Sequence, residues 1–250
     1  MKIGKTEARI NSLNDQGKGV FMGLIDPAKQ PPENGAKLAK RLEEGGADVI
    51  MLGGSIGAQG PVLDDLAKRI KESVSVPLHI FPGNVSNVTP YADSIYFMSL
   101  MNSKNPYWIT GAQTLGSLVV RQLGLEPIPT AYLIFDPGQT AGWVGEAHLL
   151  PREKPDLAIA YTLSAQYMGM RFAILEAGSG APEHVPLPII KAIREVSDIK
   201  LVIAGGVKTP EQAGNLIKAG ANCIHIGTKI EQEGSVEAIR KFARAIHGEG

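Results

Sequence analysis

The chain has 250 residues, of which 44% are hydrophobic, and this length suits one α/β domain that spans residues 1–250. Because 25 basic residues balance 25 acidic ones, no net positive charge favours nucleic acid, and we expect no nucleic-acid partner. The single cysteine, Cys223, excludes an intramolecular disulfide. The chain has no apolar leader and no run of about 20 apolar residues, so we expect a cytoplasmic protein.

Short runs rich in β-branched residues alternate with longer helical patterns. The predicted strands are, in chain order, residues 19–25, 48–52, 77–81, 94–100, 128–135, 172–176, 200–204 and 222–226. The predicted helices are residues 33–45, a segment from residue 61, residues 107–123, 156–168 and 188–196, a segment capped at residue 209, and a final segment around residues 236–246. Helices between successive strands predict a parallel sheet.

The third strand is followed by a stretch that does not resemble a helix. Residues 84–90 are few and are rich in Asn, Ser, Thr and Pro. An open doubly wound sheet usually has fewer than eight strands, so closure into a barrel is favoured. The sequence therefore predicts an α/β fold, a (β/α)8 TIM-like barrel whose third helix is replaced by a loop.

Three glycine-rich turns follow the last three predicted strands, at residues 177–180, Gly205-Gly206 and Gly227-Thr228. Glycine lets the main chain approach a ligand closely and lets N–H groups point at it. Barrels commonly hold phosphate after strands seven and eight. Tight turns without a ligand are the alternative, but three at adjacent strand ends favour a phosphate monoester.

Glu176 ends the sixth strand and directly precedes the first glycine turn. A carboxylate at this place faces the ligand and can accept a proton from a substrate hydroxyl as a general base. A structural carboxylate that binds main-chain N–H groups is the alternative.

Asp26 and Ser55 follow the first two strands, which are neighbours in a barrel. A carboxylate and a hydroxyl form a partial shell for Mg²⁺, which takes its other ligands from water and substrate phosphate. A turn or cap role for both residues is equally consistent with their spacing. The sequence shows no P-loop and no dinucleotide fingerprint, so nucleotide binding is not indicated.

Together these motifs resemble the geranylgeranylglyceryl phosphate synthase family, which includes the related bacterial heptaprenylglyceryl phosphate synthases. The most specific motif is the run Leu175-Glu176-Ala177-Gly178-Ser179-Gly180-Ala181. The other motifs are residues 21–29, Gly53-Gly54-Ser55, Ala204-Gly205-Gly206-Val207 and Gly227-Thr228, in the same order along nearly the whole chain. Residues 132–138 and 143–145 are similar to the archaeal-type group.

The resemblance implies a Mg²⁺-dependent prenyltransferase that forms the first ether bond of archaeal-type membrane lipids. It would transfer a geranylgeranyl group from geranylgeranyl diphosphate to the C3 hydroxyl of sn-glycerol 1-phosphate. Asp26 and Ser55 would bind Mg²⁺, and Glu176 would contact the glycerol hydroxyls and act as the base. The residues implied to bind the glycerol phosphate are Leu175, Glu176, Ala177, Gly178, Ser179, Gly180, Gly205, Gly206, Gly227 and Thr228.

The resemblance also implies a homo-oligomer, a dimer or a larger ring, and it is compatible with transient contact with a membrane surface. Three alternatives stay open: the same reaction with another prenyl chain length, a phosphosugar isomerase or lyase on the same barrel, and a barrel that binds phosphate or lipid without catalysis.

Overall fold

A computed structural model describes residues 2–54, 57 and 59–249, and these residues form a closed barrel of eight parallel strands in chain order. The strands are β1 (Val20–Ile25), β2 (Val49–Gly53), β3 (Leu78–Phe81), β4 (Ser94–Leu100), β5 (Glu126–Ile134), β6 (Phe172–Glu176), β7 (Lys200–Ala204) and β8 (Cys223–Ile226). The predicted TIM-like barrel is confirmed.

Helices surround the barrel. The α-helices of the described residues are α1 (Lys5–Asp15), α2 (Pro32–Glu44), α3 (Gly60–Ser73), α4 (Ala112–Leu123), α5 (Gln139–Val144), α6 (Pro155–Tyr167), α7 (Leu187–Arg194), α8 (Pro210–Lys218), α9 (Thr228–Glu233) and α10 (Val236–His247). A π-helical turn, Tyr107–Gly111, leads into α4. None of these helices is long and apolar enough to cross a bilayer.

The connection from β3 to β4 departs from the regular barrel. Residues 82–93 are all described and contain only turns and bends. Proline at positions 82 and 90 and the polar residues between them prevent a continuous helical hydrogen-bond pattern there. The predicted replacement of the third helix by a loop is confirmed, and it leaves an open side in the ring of helices.

Alternate residues of each strand face the barrel interior or the helices. Leu175 and its outward neighbours pack beneath the helices, whereas Met22, Tyr96 and Ile174 fill the interior. Burial lowers the pKa of the interior His225 to about 3, so this imidazole is neutral at physiological pH.

Helix α1 lies across the amino end of the barrel. Its Ile10 is fully buried with the interior side chains. Glu7, whose side chain is 1% exposed, accepts a 2.6 Å hydrogen bond from Nη2 of Arg171, just before β6. The main-chain N–H groups of Thr6 and Glu7 donate to the Glu126 carboxylate at the start of β5. The helix thus closes this end of the barrel, and the other end is left for ligands.

Candidate active site

A cavity of about 550 Å³ opens at the carboxyl ends of the strands. Parallel barrels place their functional groups at this end. On the β6–β8 side the cavity is lined by Glu176, Ser179, Gly180, Gly205, Gly206, Gly227 and Thr228. On the β1–β2 side it is lined by Asp26, Lys29, Gly53, Gly54 and Glu231. Asp26 and the glycine-rich turns, which the sequence singled out, therefore line the same cavity.

Glu176 lies at the base of this cavity and is 5% exposed. Its Oε1 accepts a 2.7 Å hydrogen bond from the N–H of Gly178, and its Oε2 accepts a 3.4 Å hydrogen bond from the Tyr132 hydroxyl. Burial raises the pKa of Glu176 to about 7, although these two hydrogen bonds favour the ionised form. A carboxylate with this pKa can take up and release a proton near neutral pH.

The turn after β7 requires glycine for a spatial reason. Gly205 has φ +78°, and a Cβ there would lie 2.5 Å from Glu176 Oε1 and 2.6 Å from the Gly178 carbonyl oxygen. At Gly206, a Cβ would lie 2.2 Å from the carbonyl oxygen of Glu183. Only a glycine main chain fits against the carboxylate and the neighbouring turn.

The turns after β6 and β8 are also in contact. Ser179 Oγ and Thr228 Oγ1 lie 3.3 Å apart, within hydrogen-bond distance. Of the other residues predicted to hold glycerol phosphate, Leu175 and Ala177 are fully buried in the outer core, and Gly178 directs its N–H at Glu176. Leu175, Ala177 and Gly178 do not line the cavity, and the ligand contacts of all these residues stay predictions.

Two carboxylates and one ammonium group lie together on the β1 side. Asp26 Oδ2 is 3.2 Å from Lys29 Nζ, and Asp26 Oδ1 accepts a 3.0 Å hydrogen bond from the N–H of Ala28. Glu231 of α9 places Oε2 at 4.0 Å from the same ammonium group. Burial raises the pKa of Glu231 from its ordinary value, and the nearby Asp26 charge raises it further.

The chemistry of this group suits a hard divalent cation. Asp26 supplies carboxylate oxygens, which Mg²⁺ prefers, and the Lys29 ammonium group shows that a positive charge is stable beside Asp26 and Glu231. Ser55, the second predicted ligand, lies outside the described residues. Among those that are described, no cluster of three or more His, Cys, Asp or Glu side chains suits a metal, so a bound ion would need substrate or water oxygens.

The rest of the cavity is apolar. It extends past the open side between β3 and β4 and along the inner face of α4. This part is lined by Val85, Val88, Phe97, Met98, Trp108, Ala112, Gly116, Val120 and Val144. Ala112, Gly116 and Val120 are spaced by four residues, so they form one stripe of α4. The missing helix after β3 thus leaves room for a long hydrocarbon chain.

Two residues of the site were not singled out from the sequence. Tyr132 lies within the predicted fifth strand, where an aromatic side chain is by default a core residue, yet its hydroxyl donates to Glu176. Glu231 was missed because no helix was predicted after Gly227-Thr228. Its spacing from Gly227-Thr228 was a signal that could have identified Glu231. In a helix, a residue about one turn after the predicted phosphate-binding turn lies on the same helix face as that turn.

Known families and proteins are similar to this chain over nearly its whole length. Residues 14–246 match the PcrB family. The geranylgeranylglyceryl phosphate synthase of Pyrococcus horikoshii is 50% identical over 98% of this chain and 96% of its own length. That of Thermococcus sibiricus is 49% identical over the same shares of the two chains.

Solved structures agree with these relatives. The (S)-3-O-geranylgeranylglyceryl phosphate synthase of Thermoplasma acidophilum, solved in complex with its substrate sn-glycerol-1-phosphate, superposes with a TM-score of 0.93. It is 38% identical in sequence, and the match covers 99% of this chain and 100% of that one. The predicted membership is confirmed: the chain belongs to the PcrB family, together with the geranylgeranylglyceryl phosphate synthases that match it over nearly its whole length.

Proposed function

We propose that this protein is a prenyltransferase that joins the geranylgeranyl group of geranylgeranyl diphosphate to the C3 hydroxyl of sn-glycerol 1-phosphate. The observation that carries the proposal is the buried Glu176 carboxylate at the base of one cavity, with glycine turns on one side and the Asp26–Lys29–Glu231 group on the other. The relatives with this name, and the neighbour bound to sn-glycerol-1-phosphate, support the same substrates.

In the proposed reaction the acceptor phosphate lies against the turns after β6, β7 and β8. Ionised Glu176 accepts the proton of the glycerol C3 hydroxyl while the hydroxyl oxygen forms a bond to C1 of the prenyl group. The C1–oxygen bond of the donor breaks, and the electron pair leaves with pyrophosphate. The apolar lining along α4 surrounds the prenyl chain and keeps water from the allylic carbon.

We further propose that the donor site uses Mg²⁺, held by Asp26 together with the predicted Ser55. A bound Mg²⁺ ion would neutralise charge on the departing diphosphate. Lys29 would then be free to contact a diphosphate oxygen, because its carboxylate partner would share its charge with the ion. The carboxylate chemistry of this side of the cavity supports the assignment.

We also propose that the protein is a homo-oligomer and that it is located in the cytoplasm. An exposed apolar surface supports the homo-oligomer. Leu115, Leu118 and Val119 form an exposed apolar face on α4, and Trp143 on α5 is 81% exposed. Exposed aliphatic and aromatic side chains of this kind are typical of interfaces. Light scattering of the purified protein would test this, and a vesicle flotation assay would detect binding to a membrane surface instead.

The function is tested by incubating the protein with geranylgeranyl diphosphate, sn-glycerol 1-phosphate and Mg²⁺. We expect pyrophosphate release and a prenylglyceryl phosphate detected by mass spectrometry, with both lost in EDTA. Donors of other lengths in the same assay would identify the preferred chain. Turnover of a small phosphosugar without any prenyl donor would contradict the proposal, as would ligand binding without product from any donor.

A further inference from the structure

We propose that Glu231 is a positioning residue of the donor site, holding the Asp26 main chain in place for the Mg²⁺–diphosphate group. This inference rests on the proposed function and assigns a role to a residue of α9 that is not among those proposed to bind the acceptor phosphate or to act as the base.

The first argument is a contact between the ends of two strands. Glu231 Oε1 accepts a 3.2 Å hydrogen bond from the main-chain N–H of Asp26, directly after β1. This N–H follows the last residue of the strand, and among the described residues its hydrogen-bond partner is the Glu231 carboxylate, not a strand carbonyl. The Glu231 carboxylate therefore fixes the point at which the Asp26 side chain leaves the barrel.

The second argument is charge. The Glu231 side chain is 10% exposed and its Oε2 lies 4.0 Å from Lys29 Nζ, while Asp26 Oδ2 lies 3.2 Å from the same nitrogen. Glu231 is thus a second counter-charge for Lys29. A buried carboxylate is costly unless it is paired and hydrogen-bonded. Glu231 makes both kinds of contact, and both are with residues of the Asp26 turn.

The third argument is the position of the helix that carries Glu231. Its helix begins at Thr228, whose hydroxyl lies 3.3 Å from that of Ser179 in the turn after β6. The N–H of Glu231 donates to the Gly227 carbonyl at 3.1 Å. A single short helix therefore runs from the predicted phosphate turn to the Asp26 turn.

Partners that orient a metal ligand typically contribute about 10–100-fold to metal affinity. The probe for the donor site is inorganic pyrophosphate with Mg²⁺, titrated into the full-length protein by calorimetry. We expect Glu231→Ala to weaken this binding by about 10–100-fold while sn-glycerol 1-phosphate binds as to the wild type. Glu231→Gln keeps an oxygen that accepts the Asp26 N–H, so it should recover a large part of the loss.

The matched control is Glu237→Gln, which removes an exposed carboxylate paired with Arg240 on α10. It should bind both ligands as the wild type does. Unchanged pyrophosphate binding in Glu231→Ala would overturn the inference, and so would a Glu231→Gln variant as weak as the alanine variant, since charge alone would then explain the loss. If the wild type itself fails to bind Mg²⁺–pyrophosphate, the proposed donor site falls, and this inference falls with it.

Discussion

The two oxygens of Glu176 have different partners. One accepts a main-chain N–H from the adjacent glycine turn, and the other accepts the Tyr132 hydroxyl. Burial raises the pKa of Tyr132 well above its ordinary value, so this group stays a donor at all relevant pH values. The carboxylate is thereby held in one orientation while its pKa of about 7 leaves both protonation states accessible.

This pKa predicts the pH dependence of turnover. A general base must be ionised, so activity should be lost as the pH falls through the pKa of Glu176 of about 7. We expect kcat/KM to rise with pH, with a midpoint near that value, and then to level off. Glu176→Gln should reduce kcat by about 10²–10⁴-fold and abolish this rise.

The measurement is the initial rate of pyrophosphate release at saturating Mg²⁺. A range of about pH 5.5 to about pH 8.5 brackets the predicted midpoint. Calorimetry with sn-glycerol 1-phosphate shows whether the glutamine variant still binds its acceptor. A variant that binds the acceptor and turns over like the wild type would rule out Glu176 as the base.

At the scale of elements, the turns after the last strands support one another. The Gly205 main chain packs against both Glu176 and Gly178, so the turn after β7 limits where the turn after β6 can lie. The contact between Ser179 and Thr228 adds the turn after β8. The three turns therefore form one surface, and a change in one of them should displace the others.

Substitution of Gly205 by alanine tests this coupling. Its Cβ would lie 2.5 Å from Glu176 Oε1, so we expect weaker binding of sn-glycerol 1-phosphate and a large loss of turnover. Gly17→Ala is the matched control, because Gly17 has φ +77° and nothing within 4 Å of an added Cβ. The control should lose about 1–2 kcal/mol of stability from the left-handed backbone alone and keep its activity. Equal activity losses in both variants would argue against the coupling.

The strands were the most predictable elements. β6 and β7 have the predicted bounds, because each is a continuous apolar run that ends at a glycine or a charged residue. Helix faces were less certain. In α3 the spacing of Val62, Leu66 and Ile70 by four residues predicts one buried helix face. In the structure Val62 is 51% exposed, and Leu63 is buried with Leu66 and Ile70 instead. Both positions are compatible with a period of 3.6 residues, so the pattern alone does not choose between them.

Long-range contacts limit prediction elsewhere in the chain. Helix α1 has one fully buried apolar residue, Ile10, and its other buried side chains are polar. Its contacts with Glu126 and Arg171 join residues more than 100 positions apart. No local pattern encodes such pairs. The contact of Glu231 could not be predicted for the same reason, because its partner Asp26 lies at the other end of the chain.

At the scale of the whole molecule, α1 stabilises the closed barrel by joining its first and middle strands. Glu7→Ala would leave the partly exposed Arg171 guanidinium without its buried partner, and we expect a loss of about 1–3 kcal/mol in the free energy of unfolding. Urea denaturation followed by circular dichroism measures it. Glu237→Ala, which breaks an exposed pair with Arg240, should lose little by comparison. Similar losses in both variants would show that α1 contributes no special stability.

The closed amino end also bears on how the proposed reaction would exclude water. With Ile10 and the Glu7–Arg171 pair below the strands, solvent reaches the interior mainly from the mouth of the barrel. The prenyl chain of a bound donor would itself occupy the apolar part of that mouth. The bound substrate would then itself block the entry of water to the reacting carbon. Hydrolysis of the donor would be slowest when both substrates are bound.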